Sequence, residues 1–325
     1  MLQLILSLLA FVAAQEPTDV SEQYRPLVYS DVLFLGYHST FSVFNPNYVM
    51  LSVSSLALSP FGSTVPLEVQ RVLRTTNAFE VLVHVQAETL YPVSHIYRIN
   101  FANLTALQVL NEVPIDFTPL TSPLFDYMSE GQTEYLVAID GFAQIKLMQF
   151  QGEALVLVQT ITSVGTASFQ PYSLSAQQDT LVVADLANGL LVFSLVNGIL
   201  SLEQSVPTPS PANSAYFLNT TAWVGTVEGV LEFERNAQGQ FEQLVLQYPL
   251  RKAGLYPYYI TASADYLGFV QYSSSSTSFV SIYPRLITTP ILTYTARFAP
   301  FVIVGQTVFQ ADKSKIKPSS LLPSS

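Results

Sequence analysis

Cysteine is missing from this 325-residue chain, and histidine is scarce, with three residues. Without cysteine the chain can form no disulfide bond and no thiolate metal site. The histidines are His38, His84 and His95, and they lack the close spacing of an imidazole metal site. His84 lies inside an apolar run, where a histidine is more often a core residue than a ligand. We therefore predict no metal site built from histidine or cysteine.

Charged residues are also few, since Asp, Glu, Lys and Arg make up 11% of the chain, against roughly 25% in an average protein. The formal net charge is −10, and the basic residues form no cluster beyond a local run at 313–317. Proteins that bind nucleic acid or anionic lipid usually present a positively charged surface. The composition therefore argues against both kinds of partner.

After residue 14 the chain contains no apolar run of about 18 residues, the length that predicts a membrane-spanning helix. Residues 1–14 have the pattern of a signal peptide, with an apolar stretch at 2–12 and small residues at 12–14 before Gln15. We therefore expect a secreted protein, located outside the cell or in the lumen of the secretory pathway. There Asn103 and Asn219 would be N-glycan acceptors, because each begins an Asn-x-Thr triplet.

The chain is rich in short β-prone runs, and these runs repeat. Three stretches, 135–161, 180–206 and 221–247, each contain an apolar run, a Gly-containing turn, a second run, another turn and a third run. In the clearest unit the turns are Asn188-Gly189 and Asn197-Gly198, which are strong hairpin signals because both residue types tolerate positive φ. Repeats of three or four short strands at a period of about 40 to 50 residues are typical of a β-propeller.

The number of predicted second strands gives the number of blades. Seven second strands are predicted, and they begin near Val32, Val81, Tyr135, Leu181, Trp223, Tyr266 and Val308. We therefore predict an all-β fold, a single propeller over 15–312 with seven four-stranded antiparallel blades. Six blades is the alternative, because the segment 27–73 can be divided in two ways. Val183 and Val192 should be buried in the blade at 171–206.

We make a separate prediction for each end of the chain. Residues 27–37 should pair with the last blade near 307–310, because an unpaired apolar edge strand promotes aggregation. Residues 313–325 are rich in Ser, Pro and Lys, and we predict a disordered tail there.

Two runs resemble the repeats of known propellers. Val182-Val-Ala-Asp185 and Gly189-Leu-Leu-Val-Phe193 are similar to the units of LVIVD-repeat and lactonase-like β-propellers. The resemblance is clearest over 134–235. It implies the propeller fold and no particular activity, because those families include enzymes, adhesins and proteins without known roles.

Motifs of common catalytic sites are missing. The chain has no G-x-S-x-G nucleophile elbow, no P-loop and no G-x-G-x-x-G phosphate-binding turn. We therefore assign no catalytic residue from the sequence.

One constellation of polar residues follows from the repeat. A tyrosine comes before the second strand in four blades, and an acid ends or follows that strand in three. The predicted ligand-binding residues are Tyr127, Tyr172, Tyr216, Tyr258, Asp140, Asp185 and Glu228. In a four-stranded blade the first strand begins, and the second ends, on the same face near the axis, so these side chains should share one mouth of the channel. The alternative is structural, with tyrosines packed under loops and acids capping turns.

Two functions from different classes remain open at this stage. The first is a secreted or surface-associated binding or scaffold module that does no chemistry and needs no cofactor. It would recognise a protein, a peptide or a carbohydrate at the predicted mouth, since tyrosines and carboxylates suit such ligands. The alternative is a lactonase-like propeller hydrolase, in which channel carboxylates hold a divalent cation that polarises a carbonyl group.

Overall fold

The computed structural model describes residues 27–29, 32–37, 40–44, 50–54, 67–87, 94–103, 107–115, 124–141, 144–165, 168–253, 255–273, 277–296, 301–304, 307–312 and 315–321. The regular structure in these ranges is all β. Across the same ranges, no helix is long and apolar enough to cross a membrane. The predicted signal peptide at 1–14 lies outside the described residues and stays a prediction.

The described strands form seven antiparallel sheets in chain order, six with four strands and one with three. We call each sheet a blade. Blade 1 has β1 (Leu27–Tyr29), β2 (Val32–Tyr37), β3 (Thr40–Phe44) and β4 (Met50–Ser54). Blade 2 has β5 (Leu67–Arg74), β6 (Glu80–Ala87), β7 (Ser94–Asn100) and β8 (Gln108–Ile115). Blade 3 has β9 (Leu124–Glu130), β10 (Thr133–Asp140), β11 (Gln144–Gln151) and β12 (Ala154–Ile161).

The remaining blades follow the same order. Blade 4 has β13 (Pro171–Gln177), β14 (Thr180–Asp185), β15 (Gly189–Val196) and β16 (Ile199–Val206). Blade 5 has β17 (Ala212–Leu218), β18 (Thr221–Thr226), β19 (Gly229–Arg235) and β20 (Phe241–Pro249). Blade 6 has β21 (Pro257–Ala262), β22 (Tyr266–Ser273), β23 (Thr277–Pro284) and β24 (Leu292–Ala296). Blade 7 has β25 (Phe301–Val304), β26 (Thr307–Asp312) and β27 (Lys315–Ser320). The predicted single propeller of antiparallel blades is confirmed, and its seven sheets match the favoured count.

The first strand of each blade is its inner strand, and these strands lie side by side around a central channel. Ser173 Oγ accepts the N–H of Ala215, and Ser175 Oγ accepts the N–H of Phe217, both at 3.1 Å. Because both residue numbers rise together, β13 and β17 run in the same direction. The strand β1 contacts both β5 and β25, so the inner strands of the first and last blades meet and the ring is closed.

The second strands are apolar on both faces because blades cover them from both sides. All six residues of β14 are buried. Val183 packs in a cluster shared with blade 3, whereas Val182 and Val192 pack in one shared with blade 5. The predicted burial is confirmed, since Val183 is 0% and Val192 1% exposed.

Two ionic clusters also join neighbouring blades. Arg98 of blade 2 lies 3.0 Å from Glu80 in its own blade and 2.5 Å from Glu134 in blade 3. On the other side of the ring, Arg285 lies 2.6 Å from the fully buried carboxylate of Glu232 in blade 5. A buried carboxylate needs such a partner, because leaving it unpaired is strongly destabilising.

Two predictions about the chain ends are wrong. Residues 27–37 do not pair with the last blade, because β1 and β2 form a hairpin with each other at the start of blade 1. Only two residues separate β1 from β2, so this local pairing costs far less loop-closure entropy than pairing with residue 307.

The predicted disordered tail is wrong at Lys315–Ser320, which form β27 and pair with β26. The pairing covers an edge of β26 that would otherwise be open. The sequence of β27 contains Lys315, Lys317 and Pro318, residue types that suit an outer edge.

Truncating Val183 to Ala should lower the free energy of unfolding by about 1–4 kcal/mol, through lost burial and the cavity left behind. The matched control is Val156→Ala, because Val156 is 40% exposed on the outer strand β12. That substitution should change stability by less than about 0.5 kcal/mol. Urea unfolding of both variants checks the prediction, and equal losses would contradict the assigned register.

Candidate functional site: a cavity at the hairpin end of the channel

The two ends of the channel differ in which part of each blade they present. The hairpin end of the channel is the end where the first strand of a blade turns into the second, as at Gln177 and Thr180. The entry end of the channel is the opposite end, where the first strand of a blade begins and the second strand ends, as at Pro171 and Asp185. Because the inner strands run in parallel, each end collects equivalent positions from all blades.

A cavity of about 900 Å³ opens at the hairpin end. Inner strands from six blades line it, together with the hairpins that follow three of them. The lining comprises residues 72–76, 126, 127, 129–131, 175–179, 195, 196, 216–218, 259–262 and 303. A pocket of this size is large enough for a small-molecule ligand.

Two charged side chains in the lining are exposed. Arg74 is the last residue of β5, and Asp179 lies in the hairpin between β13 and β14. Within the described residues Arg74 has no ion-pair partner. Asp179 Oδ1 accepts a hydrogen bond from Thr180 Oγ1 at 3.2 Å, and over the same residues Oδ2 has no partner. The cavity therefore offers a guanidinium from blade 2 and a carboxylate from blade 4.

Two other lining carboxylates are held by backbone groups of blade 4. Asp126 Oδ2 accepts the N–H of Ala176 at 2.9 Å. The two oxygens of Glu130 accept the N–H groups of Asn197 at 2.6 Å and Gly198 at 2.8 Å. Asn197 and Gly198 have φ of 53° and 76°, the conformation of a type I′ hairpin turn. These acids join blade 3 to blade 4 while keeping negative charge in the cavity wall.

Of the four predicted tyrosines, Tyr127 and Tyr216 line the cavity. The Tyr127 hydroxyl donates to Glu134 Oε1 at 2.7 Å, so it belongs to the ionic cluster between blades 2 and 3. Burial raises the pKa of Tyr127, and the nearby Glu134 carboxylate raises it further. The ring of Tyr216 packs 6.1 Å from that of Trp223.

The other two tyrosines lie at the entry end. Tyr172 and Tyr258 each occupy a bulge next to the first residue of their inner strand. Burial raises the pKa of Tyr172, with a contribution from the neighbouring Tyr256. In blade 5 the same bulge position holds Asn213, whereas Tyr216 stands opposite Trp223, farther along the strand.

The predicted acid Asp185 is fully buried at the entry end and caps its own turn. Its Oδ1 accepts the N–H groups of Ala187 at 2.9 Å and Asn188 at 2.8 Å, and also the side-chain amide of Asn188 at 2.8 Å. Its Oδ2 accepts the N–H of Gln170 at 2.7 Å. The carboxylate therefore has a structural role.

The other two predicted acids differ from Asp185 in position or partner. Asp140 accepts a hydrogen bond from Gln144 Nε2 at 2.9 Å and lies 2.6 Å from Lys146 Nζ. Glu228 is exposed and lies beyond the end of β18, because the position equivalent to Asp185 is Thr226. The Thr226 hydroxyl donates to the carbonyl oxygen of Gly229 at 3.0 Å.

The predicted arrangement, four tyrosines and three acids around one mouth, is therefore wrong. Bulges and strand register divide the set, with Tyr127 and Tyr216 at the hairpin end and the other five residues at the entry end. The cavity instead draws its exposed charges from Arg74 and Asp179, which the sequence reasoning missed. The signal for Asp179 was the polar turn at 177–179.

Asn103 and Asn219 are both exposed, with Asn219 in the hairpin between β17 and β18. N-glycosylation at these positions stays a prediction.

The residues do not fit the divalent-cation site that was part of the alternative function. In the ranges that the structure describes, no group of three or more His, Asp or Glu side chains could hold a metal ion. Asp185 already accepts four hydrogen bonds, and Asp140 is paired with a lysine. We derive no chemical step through a cation.

Comparison with known proteins gives matches in structure only. No family model matches the chain, and no curated protein matches it. A putative 6-phosphogluconolactonase from Bacteroides uniformis superposes with a TM-score of 0.60 at 14% identity, covering 86% of this chain and 87% of that one. The periplasmic gluconolactonase PpgL of Pseudomonas aeruginosa superposes with a TM-score of 0.59, with the same identity and coverage.

The fold is that of a lactonase-like β-propeller. The resemblance seen over 134–235 therefore extends to most of the chain at the level of fold. Our preferred function, a binding or scaffold module without chemistry, is corrected by this finding, because both neighbours carry the names of lactone hydrolases.

Replacing Asp185 with Asn should destabilise this lactonase-like propeller, because an amide nitrogen cannot accept the N–H groups that one carboxylate oxygen now accepts. Leaving a buried donor unpaired costs about 1–3 kcal/mol. The control, Glu228→Gln, changes an exposed acid near the same end and should leave the unfolding midpoint unchanged. Thermal and urea unfolding of both variants measure the difference. A neutral effect of Asp185→Asn would mean that the carboxylate does not cap its turn.

Proposed function

We propose that this protein hydrolyses the lactone ring of a sugar acid in the cavity at the hairpin end. The observation that carries the proposal is the pair of exposed charges, Arg74 and Asp179, in one cavity of about 900 Å³. The shared fold of two proteins named as lactonases supports the reaction class. The names of these two proteins differ in whether the sugar carries a phosphate group, so they leave that part of the substrate open.

Asp179 is the general base of the proposed reaction. Its free Oδ2 takes a proton from a water molecule, and the resulting hydroxide attacks the lactone carbonyl carbon. Collapse of the tetrahedral intermediate breaks the bond between that carbon and the ring oxygen. The ring oxygen leaves with the proton that Asp179 holds, so lactone and water become a hydroxy acid.

Arg74 stabilises the negative charge that develops on the carbonyl oxygen during the attack. A guanidinium suits this role because it stays protonated and offers several N–H donors. The absence of a competing carboxylate partner among the described residues leaves it available to the substrate. Preorganised donors of this kind often supply the largest single contribution to catalysis.

The rest of the cavity would bind the sugar. Tyr216 offers an aromatic surface, while Gln177, Gln178 and Ser129 bring polar groups to the wall. Asp126 and Glu130 keep blades 3 and 4 in register, so they act as positioning residues. In this assignment only Arg74 and Asp179 take part in the chemical steps.

We also propose that the protein is exported. The support is the signal-peptide pattern of residues 1–14, together with the periplasmic location in the name of one structural neighbour. The two Asn-x-Thr triplets would then be available for glycosylation.

Purified protein should accelerate δ-gluconolactone hydrolysis above the spontaneous rate, measured as proton release in weak buffer. Asp179→Asn and Arg74→Gln should each lower kcat/KM by roughly 10²–10³-fold, since one removes the base and the other removes the oxyanion donor.

Matched controls test whether the cavity is responsible. Asp265 occupies the corresponding hairpin in blade 6 and is exposed, but it does not line the cavity. Arg251 is exposed outside the cavity and stacks on Phe279. Asp265→Asn and Arg251→Gln should retain full activity. A wild-type protein no faster than buffer, or equal losses in test and control variants, would end the proposal.

A further inference from the structure

We propose that the cavity selects neutral sugar lactones and rejects their phosphorylated forms. This inference rests on the proposed lactonase function and concerns the charge of its substrate. The cavity wall contains three carboxylates, Asp126, Glu130 and Asp179, and one guanidinium, Arg74. The described residues of the wall therefore carry a formal charge of −2.

A phosphate group would meet no second free cation in the described part of this wall. Among the residues that the structure describes, the lining contains no lysine and no arginine other than Arg74. Arg98, in the adjoining ionic cluster, is already bonded to Glu80 and Glu134. Phosphate sites typically use arginine forks or several cationic groups, because a phosphomonoester carries a charge of about −1.5 to −2 at neutral pH.

Several backbone N–H groups around the cavity are also occupied. Turns often bind phosphate through exposed backbone N–H groups, and hairpin turns lie near this cavity. Here Glu130 accepts the N–H groups of Asn197 and Gly198, and Asp126 accepts that of Ala176. Gln177 Oε1 accepts the N–H of Asn219 at 2.6 Å. These four donors are thus capped by acceptors from the protein itself, which leaves fewer N–H groups for an anion.

The same wall suits an uncharged polyol. Carboxylate and amide oxygens accept hydrogen bonds from sugar hydroxyls, and Asp179 and Gln178 bring such oxygens to the cavity. Hydrolysis turns the neutral lactone into a carboxylate anion. The negative wall would then favour release of the product, while Arg74 alone meets the carbonyl oxygen during the reaction.

The experiment compares kcat/KM for δ-gluconolactone with that for 6-phosphogluconolactone, at low and high ionic strength. We expect the neutral lactone to be preferred by at least about tenfold at low salt, and the preference to shrink as salt screens the repulsion. A preference that does not depend on salt would overturn the electrostatic origin.

A gain-of-function variant sharpens the test. Gln178 lines the cavity, is exposed and already has a positive φ of 55°, so Gln178→Lys adds a cation without changing the hairpin. It should raise the relative kcat/KM for the phosphorylated lactone several-fold. Gln243→Lys is the control, because Gln243 is exposed on the outer strand β20. This control adds the same charge outside the cavity and should leave the ratio unchanged.

The outcomes separate the two proposals. Equal use of both lactones, or preference for the phosphorylated one, would overturn the charge selectivity while leaving the lactonase function in place. Hydrolysis of neither would overturn the lactonase function itself, and the selectivity with it.

Discussion

Short polar side chains hold neighbouring inner strands together, and the rest of the propeller depends on these bonds. The inner strands face the channel and do not pair with one another, so each leaves backbone groups that must find other partners. Ser173 and Ser175 accept N–H groups from blade 5, and the Ser214 hydroxyl donates to the carbonyl oxygen of Pro257 in blade 6. These bonds set the stagger between blades and therefore decide which residues share an end of the channel.

The candidate site follows from the same constraint. Asp126 satisfies the backbone of β13 much as the serines satisfy β17, but it does so with a charged group at the cavity wall. Glu130 does the same for the turn of blade 4. Structural hydrogen bonding thus gives the cavity its negative potential, while Arg74 and Asp179 remain exposed for a ligand. The ion pair of Arg98 with Glu134 keeps the other nearby cation out of the cavity.

Much of the fold could be predicted, because the same local pattern of apolar runs and turns occurs several times in a repeat. The alternation of apolar runs and Asn-Gly turns in blade 4 predicted its strands, and Val183 and Val192 are buried as expected. The site was predicted less well, since register was counted from sequence spacing alone. A bulge at Tyr172 and Tyr258 shifts the count by one residue, and in blade 5 that position holds Asn213 rather than Tyr216.

The sequence by itself determined the blades, because turn residues and apolar runs act over distances of a few residues. Only the tertiary structure decided which side chains meet, because that depends on contacts between strands about 40 residues apart. Gly225 is an example: in the sequence it is a glycine inside an apolar strand, whereas in the fold a Cβ there would collide with the Ser214 hydroxyl and the Pro257 ring. Likewise, Arg74 at the end of a strand and Asp179 in a turn have nothing distinctive in the sequence, and only the closed ring brings their blades to one cavity.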